Sequence, residues 1–578
     1  MNPRGPSATS TGAVMAWRTL CVALSVLLAS SIAQLQQNPQ VTTSLGKLQG
    51  TVRQSISGRE IYAFEGIPFA KPPVGQHRFK RAVPNDPWTG ILHATQVPNI
   101  CMQLQFKEFK LINSSSDVIG SEDCLYLNVY TPKLQPDGKQ LNVIVQIHGG
   151  GYQLGFSHMA GPSFLLDRDV VLVTINYRLG LLGFLSFEDS VVPGNNGLKD
   201  QVLALQWVNK HISAFGGDPN KVTISGVSAG GAAVDSLLLS PLSKGLFQKA
   251  ISNSGSELNP WAMTREPRKL GFLIAEAVGC PTTDTKVTLK CMRERSAEQL
   301  VGSVQLLSGF VFPFAPVVEP PSSEAFMDKH PVDMIKSKAG SDVPALFSYA
   351  ISEGQSFLMK PFFDIDHVDE FDKSWNEKIP GLAIYDGLLD PEREKEVSQS
   401  LRNRFIGDGK LSDNLKGLAK LMSERYFDDG IQKSCLLRAQ HQESPVYSYR
   451  FNFPRPPAAE AIMQKLFGSM FEASSTHGED TFYVFDTPMF PMQDGPEARA
   501  LSKTFIDDIW MTFIEGNQVA NWSTVDSKLP QFTFLEVKGS NPKENVFTSE
   551  VSVGQSFWNA LNIPLQAKSA KSAAHTEL

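Results

Sequence analysis

From Val143 onward, short runs of nearly uninterrupted apolar residues alternate with stretches of helical period, and few folds accept that pattern. Val143-Ile-Val-Gln-Ile147 and Val170-Val-Leu-Val-Thr-Ile175 lack the in–out alternation of a half-exposed strand, so both faces of each must be covered. Leu198 to Ile212 has helical period and stops at Phe215-Gly-Gly-Asp-Pro219. The strand candidate Val222 to Ser225 follows at once, then a small-residue helix from Ala229 to Leu239. Lys249 to Asn253, Ala345 to Tyr349 and Val446 to Phe451 read as further strands, and Ala498 to Glu515 as a helix. Such alternation predicts an α/β protein with a large, mixed but mostly parallel central sheet flanked by helices. No Pro/Ser-rich linker divides the chain, so one domain is expected over residues 34–565.

The rest of the chain concerns destination. Arg4 and Arg18 precede an apolar stretch, Leu20 to Ala33, that ends in Ser31-Ile32-Ala33. This is the order of a secretory signal peptide over residues 1–33, and the stretch falls short of the ~20 apolar residues a bilayer requires. No later segment is apolar for long enough to span, so no membrane span is expected. Residues 566–578 form a small-residue tail ending in His575-Thr576-Glu577-Leu578, similar to the KDEL/HDEL retrieval signals. The expected partner of that tail is a KDEL-type retrieval receptor, the expected location the endoplasmic reticulum lumen, with secretion if retrieval fails. The charge of −6 offers no basic surface for nucleic acid or anionic membrane. Among the cysteines, Cys21 leaves with the signal, Cys101/Cys124 and Cys280/Cys291 form nearest-neighbour pairs, and Cys435 is left over. Asn113-Ser-Ser and Asn521-Trp-Ser are N-glycosylation sequons available on this route.

Most of the chemical content lies in Ile224-Ser-Gly226-Val227-Ser228-Ala229-Gly230-Gly231, a G-x-S-x-G between a predicted strand and a predicted helix. That context makes Ser228 the nucleophile of an elbow, exposed on a strained turn of an α/β-hydrolase fold. Upstream, Ile147-His148-Gly149-Gly150-Gly151-Tyr152 follows a buried strand. It lacks the spacing of a dinucleotide loop and a Walker lysine, and matches the HGGG oxyanion loop of esterases. The expected oxyanion donors are the N–H groups of Gly150, Gly151 and Ala229, with His148 structural. In the chain order Ser, acid, His, the base must follow Ser228. His575 belongs to the tail, His441 to a polar helical stretch and His367 to an acidic solvated face, which leaves His477 in Ser474-Ser-Thr-His477-Gly-Glu-Asp480. The acid stays open among Glu353, at the end of a strand, and Asp364 and Asp366.

Taken together, the sequence resembles the type-B carboxylesterase/cholinesterase family from about Val41 to Phe557. The resemblance rests on Phe64-Glu-Gly-Ile-Pro-Phe-Ala-Lys-Pro-Pro-Val-Gly75, Ser121-Glu-Asp-Cys-Leu-Tyr-Leu-Asn-Val129, the HGGG loop, Asn176-Tyr-Arg-Leu-Gly180, Phe215-Gly-Gly-Asp-Pro219, the elbow, and Ser254-Gly255 with Pro260-Trp261. It implies a Ser228–Glu353–His477 triad, Cys101–Cys124 and Cys280–Cys291 disulfides, an Arg78–Glu122 salt bridge, and Ser254 beside His477 and Glu353. The tail is similar to that of luminal liver- and gut-type carboxylesterases. Two departures argue against choline esters: Val227 stands where the family commonly has an acid, and the loop between Cys101 and Cys124 has no Trp.

The expected activity is therefore serine carboxylic ester hydrolysis through an acyl-enzyme, with no metal or cofactor required. The substrates expected from Val227 and Phe310-Val-Phe-Pro-Phe314 are neutral, fairly hydrophobic small-molecule esters. The alternatives are a lipase or thioesterase preference, a single hormone-type ester, or a non-catalytic adhesion or folding module of the same fold.

Overall fold

The computed structural model describes residues 38–105, 116–135, 138–307, 312–358, 363–453, 455, 457, 460–461, 464, 474–487, 495–516, 522–529, 531–541, 544–551 and 557–564. The signal segment 1–33, the tail 566–578, the sequon residues Asn113 and Asn521, and Phe310 lie outside the described residues.

One sheet of eleven strands organises the chain. Its strands are β1 (Thr51–Gln54), β2 (Glu60–Pro68), β3 (Tyr126–Thr131), β4 (Leu141–Ile147), β5 (Val170–Ile175), β6 (Gly217–Val227), β7 (Lys249–Asn253), β8 (Ala345–Ala350), β9 (Val446–Phe451), β10 (Gln531–Val537) and β11 (Val546–Val551). They lie side by side in the order β11-β10-β9-β8-β7-β6-β4-β5-β3-β2-β1. From β5 to β10 every pairing is parallel, while β11 at one edge and β3, β2 and β1 at the other run antiparallel. All six residues of β5, and all but Asn142 of β4, are buried, as their unbroken apolar runs require of strands covered on both faces. The helix predicted from Leu198 begins slightly earlier, as α1 (Asn196–His211), and the small-residue helix is α2 (Ala229–Leu239). The Ala498 to Glu515 prediction begins at Pro496 and is interrupted by a π-turn, Phe505–Met511. Among the described residues, no helix is long and apolar enough to cross a membrane.

Two helices near the site, α3 (Leu415–Ser423) and α4 (Asp429–His441), are separated by a second π-turn, Glu424–Asp428. Helix α4 is locked to α2 by a fully buried ion pair. Arg438 Nε donates to Asp235 Oδ1 at 3.1 Å and Nη2 donates to the same oxygen, with both side chains at most 1% exposed. The other Asp235 oxygen accepts from Ser256 Oγ at 2.8 Å, Ser434 Oγ at 3.0 Å and Glu257 N at 3.1 Å.

Both disulfides are formed, with Cα separations of 4.9 Å for Cys101–Cys124 and 5.7 Å for Cys280–Cys291. Arg78 joins their two loops. Its Nε and Nη2 each reach Glu122 at 2.6 Å, while Nη1 donates to the carbonyl of Arg295 at 2.6 Å, a few residues past Cys291. Cys435 is a free, buried thiol, and burial pushes its pKa up.

Candidate active site

Ser228 forms the turn of the strand–turn–helix predicted for it, between β6 and α2. Its backbone sits at φ 60°, ψ −125°, a conformation L-residues avoid at a cost of about 1–3 kcal/mol. Neighbouring contacts hold it there: Ser228 N donates to the Asn253 carbonyl at 2.9 Å, and Ala232 N to the Ser228 carbonyl at 2.9 Å. The flanking glycines are required by close approach. A Cβ on Gly226 would lie 2.3 Å from the Gly230 carbonyl oxygen, and one on Gly230 would lie 2.2 Å from that of Ile147.

The HGGG loop leaves β4 beside this turn, so close that a Cβ on Gly149 would lie 2.9 Å from Ser228 Cβ. Its carbonyls are taken up internally. His148 Nδ1 lies 2.9 Å from the Gly149 carbonyl, which only accepts, so Nδ1 carries the hydrogen. The Gly150 carbonyl accepts from Gln153 N at 2.9 Å and Leu154 N at 3.1 Å. In a trans peptide the N–H points opposite to the C=O, so these bonds turn the Gly150 and Gly151 N–H groups away from the loop's interior. Neither N–H has an acceptor among the described residues. Ala229 is the first residue of α2, where a helix leaves its N–H without an intrahelical partner.

His148 itself is structural. It is buried, stacked on Tyr177 at 4.4 Å, and burial lowers its pKa to about 4. Its folded-state pKa lies below the ordinary 6.5, so between about pH 6.5 and 4 the unfolded chain binds a proton the folded chain refuses. Stability should therefore fall as pH drops through that window, by roughly 3 kcal/mol at pH 4 from this residue. Thermal denaturation against pH should show a shallower slope for His148→Gln than for the native chain.

On the same rim, β8 ends in a 3-10 turn, Glu353–Phe357, and the chain after β9 supplies the His477 loop. His477 Nδ1 lies 2.6 Å from Glu353 Oε2. The other Glu353 oxygen accepts from Ser254 Oγ at 2.6 Å and Ala350 N at 2.7 Å. Three polar groups thus converge on a carboxyl group that is 0% exposed, and of these the Ala350 N–H can only donate to it. The two loops are also joined through Thr476 Oγ1 to the Ser352 carbonyl at 3.1 Å and Ser352 N to the Ser475 carbonyl. The His477 ring packs against Phe427 on the π-turn at 4.5 Å and Phe357 at 5.3 Å. Gly478 abuts the elbow, since a Cβ there would lie 3.0 Å from Val227 Cγ2. Asp364 and Asp366 are exposed, and Asp364 is engaged by His367 at 3.0 Å.

One buried residue carried no assignment in the sequence. Asp480 Oδ2 accepts from Tyr449 OH at 2.7 Å, Ser348 Oγ at 2.9 Å and Asn253 Nδ2 at 3.0 Å, which ties the His477 loop to the ends of β7, β8 and β9. Its only sequence signal is an acid three residues after the histidine. Of the phenylalanine-rich stretch, Phe314 belongs to the core, whereas the Phe312 ring covers Gly151 and stands 5.9 Å from Trp261.

A serine on a strand–helix elbow, a carboxylate-bound histidine on the neighbouring rim and a glycine loop beside the serine define an α/β-hydrolase. The sequence profile described as the carboxylesterase family matches residues 37–553. Esterase FE4 of Myzus persicae is 40% identical over 488 residues, covering 82% of this chain and 84% of that protein. Juvenile hormone esterase of Tribolium castaneum is 33% identical over 533 residues, 86% and 88% of the two chains. Among solved structures, juvenile hormone esterase from Manduca sexta with OTFP covalently attached superposes with a TM-score of 0.79 at 26% identity, covering 91% of this chain and 100% of that one. The chain belongs to the carboxylesterase family, and it is a carboxylic ester hydrolase.

Proposed function

We propose that ester cleavage runs through an acyl-enzyme on Ser228. The observation that carries this reading is the 2.6 Å contact between His477 Nδ1 and Glu353. With Nδ1 engaged by a carboxylate, His477 Nε2 is the basic nitrogen left to take the Ser228 hydroxyl proton. Ser228 Oγ then attacks the ester carbonyl carbon, and the carbonyl π pair moves to oxygen. The N–H groups of Gly150, Gly151 and Ala229 receive that oxyanion, each donor contributing on the order of 3 kcal/mol in the transition state. Collapse breaks the C–O bond, and the His477 proton goes to the departing alkoxide. In the second half-reaction His477 takes a proton from water as its oxygen attacks the acyl carbon, and returns it to Ser228 Oγ as the acyl C–Oγ bond breaks and the acid leaves. These steps call for no metal or cofactor.

Neutral, fairly hydrophobic esters are the substrate class this surrounding suits. Phe312 covers Gly151, Phe357 and Phe427 flank His477, and Val227 rather than an acid precedes the nucleophile. The likeness to two juvenile hormone esterases supports a second reading, a single hormone-type ester. A p-nitrophenyl ester series from acetate to long chain, run beside a juvenile-hormone-like methyl ester, separates them. A broad optimum at short to medium chains is the expected result; turnover confined to the hormone-type ester would overturn it. The two termini support assigning the reaction to the endoplasmic reticulum lumen, and release into the medium on deleting residues 575–578 tests that assignment.

A further inference from the structure

The HGGG loop is held from behind by a residue with no part in the steps above. Gln103 lies just past Cys101, on a two-residue strand, Gln103–Leu104, paired with Val118–Ile119. It is 1% exposed, and its amide grips both backbone groups of Gly155. Nε2 donates to the Gly155 carbonyl at 3.0 Å, Oε1 accepts from Gly155 N at 2.9 Å, and the second Nε2 hydrogen goes to the Cys101 carbonyl at 2.8 Å. Both donors and the acceptor are thus used, a two-point grip like that of a neighbouring strand.

Gly155 is in turn pressed onto the loop that carries the oxyanion donors. Its φ is +120°, and a Cβ there would lie 2.3 Å from His148 Nδ1 and 2.6 Å from the Gly149 carbonyl oxygen. Those two atoms make the hydrogen bond that orients the Gly149–Gly150 peptide. The preceding residue, Leu154, donates its N–H to the Gly150 carbonyl at 3.1 Å and so orients the next peptide. A chain with three successive glycines has many accessible backbone states, including ones in which a peptide flips and presents its carbonyl in place of its N–H. Nothing in the glycines themselves selects between these states; the selection comes from the ends of the loop.

We propose that Gln103 is a positioning residue for ester hydrolysis: by clamping both backbone groups of Gly155 it holds the 148–155 loop with the Gly150 and Gly151 N–H groups turned toward the substrate carbonyl. This rests on the assignment of those groups as oxyanion donors. The clamp acts on the developing negative charge rather than on the ester's ground state, so its loss should appear in kcat and in affinity for tetrahedral mimics, with KM little changed.

The test compares the native enzyme with Gln103→Met, which keeps the length and loses the hydrogen bonds, and with Gln103→Glu. Three quantities are read: kcat and KM for a p-nitrophenyl ester, inhibition by an aryl trifluoromethyl ketone, whose adduct with serine carries an oxyanion, and inhibition by the matching secondary alcohol, which forms none. For Gln103→Met we expect kcat to fall about 10- to 100-fold and ketone affinity to fall by a similar factor, with KM and alcohol affinity within about threefold. In Gln103→Glu the protonated carboxyl can again donate to the Gly155 carbonyl and accept from its N–H. Its deficit relative to the native enzyme should therefore shrink as pH is lowered, which keeps the proposal testable if the methionine variant does not fold. Unchanged kcat and ketone affinity in a folded variant would overturn it, as would equal losses for ketone and alcohol, or a glutamate deficit independent of pH. A native enzyme that does not bind the ketone would instead overturn the oxyanion assignment itself, whatever Gln103 does.

Discussion

Replacing Glu353 with glutamine is expected to lower kcat by roughly 10³- to 10⁴-fold while leaving KM within a few-fold. The size follows from the donors around that carboxyl. Ala350 N and His477 Nδ1 point at different oxygens of Glu353, and Ser254 Oγ shares the first of them. A glutamine has one oxygen only. If that oxygen faces His477, its NH₂ is driven against the Ala350 N–H, donor against donor. If it faces Ala350, the NH₂ meets Nδ1 and imposes the tautomer with hydrogen on Nε2, which cannot take the Ser228 proton. Ser228→Ala should remove more, leaving only what the oxyanion site and binding contribute, and should abolish stoichiometric labelling by a fluorophosphonate. Steady-state kinetics on one p-nitrophenyl ester together with active-site titration measures both. A glutamine variant within tenfold of the native enzyme would move the acid's role to another residue.

The second large effect is on stability. Arg438→Ala should destabilise the fold by about 3–5 kcal/mol, because it leaves the Asp235 carboxylate buried with its opposite charge removed. Ser256, Ser434 and the Glu257 N–H would still donate to Asp235, but neutral donors do not replace a guanidinium. The double variant Asp235→Asn with Arg438→Met should recover much of the loss, since a buried pair often breaks even against neutral residues of similar size. Thermal and urea denaturation of the three proteins reads this directly. If the single variant were no less stable than the double, the paired charges would not be what joins α2 to α4.

Much of this was legible in the amino-acid order, and the boundary has physical causes. The strands at Val143–Ile147 and Val170–Ile175 could be read because burial on both faces leaves an unbroken apolar run, and the elbow because its glycines are demanded by contact, whereas the strands Gln531–Val537 and Val546–Val551 were not read. His477 emerged by elimination, and its loop position is observed. The acid stayed open among Glu353, Asp364 and Asp366 because what distinguishes them is burial among donors distant in sequence: Ser254 lies 99 residues from Glu353, and His477 lies 124 from it. Only the resemblance to relatives pointed to Glu353. Gln103 carried no signal at all. Its place depends on the register of a two-residue strand against a loop 52 residues away, which no local pattern encodes.

The parallel half of the sheet was added in chain order. Reading outward from β6 through β7, β8, β9 and β10, each strand takes its place beside the one synthesised just before it. A nascent chain can therefore extend the sheet at one open edge as residues emerge, without reopening pairings already made. Ser228 and its strained turn belong to an early strand of that series, whereas His477 follows β9. At a synthesis rate of about 5–20 residues per second, the 124 residues from Glu353 to His477 take roughly 6–25 s to appear. Through that interval the serine has its turn and its glycine loop but His477 has not yet been made, so a growing polypeptide acquires the proposed base only near completion.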